Sequence, residues 1–448
     1  MLKKILSLIF LFSIVTAAAF AQEGEIEVKA TIEPFKKEDR VLIFAPHPDD
    51  ETIGCAGVIQ RALKAGAKVK VTYLTNGDHN EFAFLVYEKR PILFNAEFVR
   101  MGKVREEEAK NAMKLLGLNE NDLIFLGYPD YGTDVMFFSY WDSDHPFSDR
   151  LTRQPYVPYK ESPSYGAPYK SENLLKDIKQ VLLDYKPTKI FISHPADVNG
   201  DHWAYYCYLQ IALRDLRKEI PAPKMYVYLV HAAGWPLPRH LHEGLTLQPY
   251  EKHFPEGLVN WAKLELTQEE IDNKHKAMLA YKSQTCVSAF YLLSFVRRNE
   301  LFGDYPLVTL KKQASPGADG PVFSEDNSKI SYAVAGDDLW IRIEKPWELK
   351  WRLMLDFYIL GYNDDVPFAK MPNIWVSTKY NKFKIHEMNK GKQMDPLDTL
   401  AYVGRKYMIL KIPLKVLGDP DFLLVCVVTK KSFLSLESMG FRRIEITE

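Results

Sequence analysis

Between Val41 and Val230, short apolar runs alternate with segments of helical periodicity, and this alternation limits the fold more than any other property of the chain. The apolar runs occupy 41–45, 69–74, 123–126, 189–193 and 225–230, and helical patterns fall near 104–116, 173–185, 203–218 and 267–281. Strands separated by helices cannot pair as hairpins, so they line up parallel, with the crossover helices on the faces of the sheet. The expected arrangement is a doubly wound, mainly parallel α/β sheet. No Gly-x-Gly-x-x-Gly follows the first run, so this architecture implies no dinucleotide.

The first run delivers His47-Pro48-Asp49-Asp50-Glu51, one imidazole and three carboxylates in a single turn. Open α/β sheets bind their ligands at the carboxyl ends of strands. Imidazole and carboxylate form a borderline-hard set suited to Zn²⁺ or Fe²⁺, and a spare carboxylate beside them can accept a proton from water. The plain alternative is a solvated acidic turn capping a helix. Gly54 and Gly57 follow, and the helix is expected to begin near Val58. A second cluster comes after 189–193: His194-Pro195-Ala196-Asp197-Val198-Asn199-Gly200-Asp201-His202. A catalytic zinc typically takes three protein ligands, and His202 can join His47 and Asp50 as the third. In the first turn of a helix the macrodipole disfavours imidazolium, which keeps such a ligand neutral.

These segments resemble the PIG-L/LmbE family of zinc-dependent N-acetylglucosaminyl deacetylases. Thr75-Asn76-Gly77-Asp78 is similar to the family's loop after its second strand, Arg105-Glu106-Glu107-Glu108 to its R-x-x-E helix, and Ser283-Gln284 to its closing pair, so the resemblance runs over roughly residues 38–290. It implies that His47, Asp50 and His202 hold Zn²⁺, with Fe²⁺ or another divalent metal as alternatives. It implies Asp49 as general base, and Arg105 and Asp130 as sugar contacts. Many relatives carry a histidine three residues before the last ligand. Asn199 stands there, and its amide can donate a hydrogen bond to an oxyanion. His194 and His231 are the other candidate electrophiles, His231 because it follows a strand and should emerge on the same sheet edge. The implied activity is a metal-dependent amidohydrolase that removes the acetyl group from an N-acetylated amino sugar or glycan. An amide hydrolase acting on another acylated sugar conjugate, and a catalytically idle metal-containing glycan-binding protein, are the alternatives.

The chain ends bound the rest. Met1-Leu2-Lys3-Lys4, an apolar run through Phe20 and Ala19-Phe20-Ala21 read as a signal peptide over 1–21, so the mature protein is expected to be exported, periplasmic or extracellular, without stable membrane insertion. No cysteine sits at the cleavage point for a lipid anchor. Cys55, Cys207, Cys286 and Cys426 are scattered and read as small buried residues rather than a disulfide or metal set. Lys and Arg number 58 against 58 Asp and Glu, and no basic run interleaves with aromatics, which argues against nucleic acid and suits a neutral glycan.

The aromatic-rich stretch from Tyr128 to Ser171 is expected to be a lid or wall of a substrate groove, with packing onto its own domain as the alternative. A metal-dependent deacetylase domain is placed at 22–313 and a Ser/Gly/Pro linker at 314–321. Residues 322–448, with period-two segments at 339–343, 351–359, 373–376, 382–385, 407–412 and 422–428, form an accessory domain. The stretch from Tyr407 to Gly418 resembles one hairpin of jelly-roll carbohydrate-binding modules. The fold class is thus α/β, a Rossmann-like doubly wound, mainly parallel sheet followed by a C-terminal antiparallel β-sandwich.

Overall fold

The computed structural model describes residues 28–141, 143–250, 254, 257–317, 320–324, 329–344, 353–379, 382–395, 398–404, 407–431, 434–438 and 440–448. The expected signal peptide and part of the expected linker lie outside these residues. Among the described residues no helix is long and apolar enough to cross a membrane.

The N-terminal part runs β1 (Arg40–Ala45), α1 (Asp50–Lys64), β2 (Lys68–Thr75), α2 (Glu81–Glu88), α3 (Asn95–Leu115), β3 (Leu123–Tyr128), α4 (Thr133–Ser139), α5 (Ser171–Tyr185), β4 (Lys189–Ser193), α6 (Gly200–Asp215) and β5 (Lys224–Tyr228). It closes with β6 (Asn260–Glu265), α7 (Gln268–Ala280), α8 (Lys282–Leu292) and β7 (Asn299–Asp304). The first five strands form one parallel sheet in the order β3-β2-β1-β4-β5. Strand β1 is apolar from Val41 to Ala45 because both its faces are covered there: Val41, Ile43 and Ala45 join the cluster under α1, α3 and α7, whereas Leu42 and Phe44 join the one under α4, α5 and α6.

Helix α1 starts at Asp50, well before the expected Val58. Its glycines are not loop residues. A Cβ on Gly54 would lie 2.5 Å from the Tyr228 ring, and one on Gly57 would lie 2.2 Å from Leu266, so both mark close approach of the helix to its neighbours. The aromatic stretch is also corrected. Tyr128, Phe137, Trp141, Tyr159 and Tyr169 are buried in the second cluster, where Phe137 and Trp141 also meet Phe368 of the C-terminal module, leaving Tyr131, Tyr156 and Tyr165 exposed. Cys286 is exposed, unlike the other three cysteines.

The C-terminal module contains β8 (Val308–Gln313), β9 (Ile330–Ala335), β10 (Asp338–Glu344), β11 (Leu353–Tyr362), β12 (Asn373–Lys379), β13 (Lys382–Glu387), β14 (Lys392–Met394), β15 (Leu400–Val403), β16 (Tyr407–Pro413), β17 (Phe422–Lys431), β18 (Leu434–Ser438) and β19 (Arg442–Thr447). They fold around one apolar cluster as a sandwich. The pairing is mixed rather than purely antiparallel, since β8 lies parallel to both β19 and β9 and joins the two halves. The module's strands therefore begin at Val308, ahead of the expected linker. Residues Leu414–Leu417 form a 3₁₀ turn after β16, not the second arm of a hairpin.

The module has little independence. Along β17, Leu423, Val425 and Val427 face the sandwich core, while Phe422, Leu424 and Cys426 share a cluster with α4, α5 and α6; Leu360, Tyr362, Phe368 and Phe441 join them. Arg214 on α6 reaches Asp364 at 2.9 Å and Glu445 at 3.2 Å. A chain ending at Gln313 would expose the partners of this apolar face. It is expected to aggregate, as read by size-exclusion chromatography with light scattering, whereas a soluble monomer with an unchanged far-UV spectrum would show the interface to be dispensable.

Candidate metal centre

Strands β1 and β4 are neighbours, with Phe44 opposite Ile192, and the chain departs from them in opposite directions across the sheet. The turn after Ala45 and the loop after Ser193 thus emerge side by side at the switch point, where open α/β sheets form their crevice. Asp49 has φ 126°, a conformation that a side chain rarely adopts, and it caps α1 so that Asp50 and Glu51 open the helix.

His47 Nδ1, Asp50 Oδ2 and His202 Nε2 form a nearly equilateral triangle. The edges are 3.1 Å from His47 to Asp50, 3.2 Å from His202 to Asp50 and 3.3 Å between the two rings. All three residues are buried, and their ligand atoms fall within the separation a single ion can span. A tetrahedral cation with bonds of about 2.0–2.1 Å holds its ligands about 3.3–3.4 Å apart, so the residues present fit a zinc-sized ion.

Carboxylates orient both rings. His47 Nε2 lies 3.1 Å from Asp130 Oδ1 and 3.1 Å from Asp201 Oδ2, and His202 Nδ1 lies 3.2 Å from Asp197 Oδ2. Asp201 is itself held by the Tyr131 N–H at 2.6 Å and by the Thr133 N–H at 3.1 Å. Asp197 accepts from the backbone N–H groups of Asn199, Val230 and His231, and its Oδ1 is 3.2 Å from His231 Nδ1.

The electrostatics call for a cation. Burial disfavours the His47 imidazolium, yet Asp130, Asp201 and Asp50 hold its pKa well above the ordinary value. Burial likewise opposes charge on His202, and Asp197 and Asp50 overcome it, raising its pKa to about 9. Asp50 would be pushed up by burial, but His202 and His47 hold it well below the usual carboxylate range. Surplus carboxylate draws protons onto the imidazoles, and a divalent ion displaces those protons. Asp49 differs: burial, with Asp50 and Glu51 beside it, pushes its pKa up to about 7 against the pull of Arg105. A carboxylate poised there suits a general base.

The other expected residues separate clearly. Arg105, on α3, is buried, with Nη2 donating to Pro48 O at 2.6 Å and lying 3.2 Å from Asp49 Oδ2, while Nη1 donates to Gly77 O at 3.0 Å. It fastens the acidic turn to the Thr75–Asp78 loop. Asp130 sits against His47 and accepts the His79 N–H at 2.9 Å. Glu108 accepts the Ser283 N–H at 2.8 Å and the hydroxyl at 2.6 Å, joining the R-x-x-E helix to the Ser-Gln pair. Asn199 Oδ1 accepts the Asp201 N–H at 2.9 Å and caps α6.

His231, with about a third of its side chain exposed, stands 4.7 Å ring to ring from His202. His194 is corrected: it is buried among Phe254, Tyr305 and Trp261, and its Nδ1 accepts the Ala196 N–H at 3.0 Å. The orienting roles of Asp197 and Asp201 were missed. Both stand in the second cluster, and the signal for them is that a ligating histidine needs a carboxylate on its far nitrogen.

Fold and ligand set define an α/β protein with a buried His–Asp–His centre at the switch point of a parallel sheet. Residues 42–212 match the model of the PIG-L family, described as GlcNAc-PI de-N-acetylase. The chain is similar to a Kribbella flavida protein named 1D-myo-inositol 2-acetamido-2-deoxy-alpha-D-glucopyranoside deacetylase, 27% identical over 301 residues that cover 63% of this chain and 95% of that one. Among solved structures it is similar to N,N'-diacetylchitobiose deacetylase from Pyrococcus horikoshii, at 17% identity and TM-score 0.35, covering 62% of this chain and 86% of that one. A conserved protein from Thermus thermophilus matches at 22% identity and TM-score 0.32, covering 55% of this chain and 80% of that one.

His47→Ala and His202→Ala are expected to lose most of the bound metal, and Asp49→Asn to keep it, as measured by elemental analysis of proteins with unchanged far-UV spectra. Asp197→Asn is expected to keep the ligands but weaken metal binding by about 10–100-fold, read by competition with a chelating indicator.

Proposed function

We propose that this chain is an exported, zinc-dependent N-deacetylase that hydrolyses the acetamido group of an N-acetylated amino sugar or glycan. The observation that carries the reading is the ligand triangle of His47, Asp50 and His202 with Asp49 poised beside it. The match of residues 42–212 to the PIG-L family model supports it, as does the acetamido-sugar deacetylase named for the Kribbella relative. The signal-peptide pattern over 1–21 supports export.

Zn²⁺ or Fe²⁺ held by His47, Asp50 and His202 would supply a Lewis acid for the amide carbonyl and lower the pKa of water. Asp49 takes the proton as the water oxygen adds to the acetyl carbon. Arg105, 3.2 Å away, favours the charged form of the carboxylate and holds it aimed. His231, whose Nδ1 is held by Asp197, offers Nε2 to the developing oxyanion, and Asn199 offers its amide from the start of α6. When the C–N bond breaks, the proton on Asp49 passes to the departing amine, leaving acetate and a free amino sugar.

The full chain without residues 1–21 is expected to release acetate and amine from N-acetylglucosamine or its β-linked dimer, to stop after chelation and to resume when Zn²⁺ is returned. A metal-loaded protein inactive on a panel of acetylated amino sugars would end this reading. Within an active enzyme, His231→Ala is expected to lower kcat by about 10²–10³-fold with metal content unchanged, and Asn199→Ala by less. The reverse order would move the oxyanion donor to Asn199.

A further inference from the structure

We infer that Gly440 and Phe441, in the turn leading into β19 of the C-terminal module, are positioning residues that clamp the loop carrying Asp197 and His202. The inference rests on the reading of His47, Asp50 and His202 as metal ligands. The segment from His194 to Asn199 lies between β4 and α6 and is neither strand nor helix, yet it must present Asp197 to His202 at 3.2 Å. Its inner side is held by backbone bonds, from the His194 N–H to Tyr228 O at 2.7 Å and from the Val198 N–H to His231 O at 3.1 Å.

The module closes on the other side. The Phe441 N–H donates to Pro195 O at 3.3 Å. Gly440 comes so close to Ala196 that a Cβ on it would lie 2.6 Å from Ala196 Cβ, 2.7 Å from its Cα and 2.8 Å from its backbone N. Gly440 also has φ +69°, so both conformation and contact demand glycine. The Phe441 ring is buried and packs 5.1 Å from Trp203, the residue after the ligand His202. One turn of the module thus touches the loop that carries Asp197 and the first turn of the helix that carries His202. Elsewhere in the same interface, the ring contacts of Phe368 are with Phe137, Trp141 and Tyr362.

A clamp makes a specific demand. Pushing Ala196 outward shifts the carboxylate that orients His202, and metal affinity should fall even while the fold persists, because an orienting partner contributes about 10–100-fold to affinity. The module then has a part in the chemistry without needing a ligand of its own.

The test measures Zn²⁺ Kd on the full chain, stripped by chelation and titrated against a competing indicator, together with Tm. Gly440→Ala is expected to raise Kd by about 10–100-fold. Gly391→Ala, which carries the same left-handed strain at φ +59° in the same module but meets nothing within 4 Å, should leave Kd unchanged. In parallel, Phe441→Ala and Phe368→Ala should both lower Tm, and only Phe441→Ala should raise Kd, with Phe441→Tyr retaining wild-type affinity; this pair decides the matter should Gly440→Ala not fold. Wild-type Kd in Phe441→Ala, or equal Kd losses in the two phenylalanine variants, overturns the clamp. A wild type that holds no metal at all overturns the ligand reading and the clamp with it, whereas a wild type that holds metal beside a folded Gly440→Ala protein of unchanged Kd overturns the clamp alone.

Discussion

Charge buried at the switch point governs this molecule. The sheet order places the ends of β1 and β4 together under cover, and there Asp49, Asp50, Asp130, Asp197 and Asp201 gather around His47, His202 and Arg105. An uncompensated carboxylate in such a place is costly, and the imidazoles answer by holding protons that a divalent cation would displace. Arg105 meets the charge of Asp49 and ties the turn to Gly77 O as well, so one guanidinium both balances and braces the base.

Much of this arrangement was legible in residue types. The apolar run of β1 could only be a strand covered on both faces, and the turn after it carries the densest imidazole and carboxylate set of the chain. The start of α1 was not legible, because Gly54 and Gly57 read as loop when their role is to admit Tyr228 and Leu266; glycine marks backbone freedom and close approach alike. His194 was misplaced for a related reason. A histidine after a strand can face the crevice or the core, and the aromatic partners that decide it, Phe254 and Tyr305, are remote in sequence.

The module's attachment had a sequence signature that period-two reading passes over. A sandwich strand with one face in water alternates apolar and polar residues, whereas β17 opens Phe422-Leu423-Leu424-Val425-Cys426-Val427 without a polar residue. A continuous run means that both faces are covered, and the second cover is the layer of α4, α5 and α6. The Ser/Gly/Pro stretch before it joins two bodies that share a core, so its composition describes a loop rather than a boundary of cooperativity. The same logic applies to Tyr128–Ser171, whose aromatics serve the core at most positions and reach solvent at only a few.

The asparagine at position 199 has a structural explanation that does not depend on catalysis. Asparagine is among the best N-caps, and here its Oδ1 takes the Asp201 N–H, which fixes the first turn of α6 and with it both His202 and Asp201, whose carboxylate lies against His47. Imidazole caps a helix less well, so a residue selected for holding this turn is poorly suited to carrying an electrophilic ring as well. Asp197 bridges the gap, since its two oxygens reach His202 on one side and His231 on the other. One buried carboxylate thereby sets the geometry of the His202 ring and of a partly exposed imidazole from the loop after β5. In this chain capping falls to Asn199, and the partly exposed ring beside His202 belongs to His231, just past the end of β5.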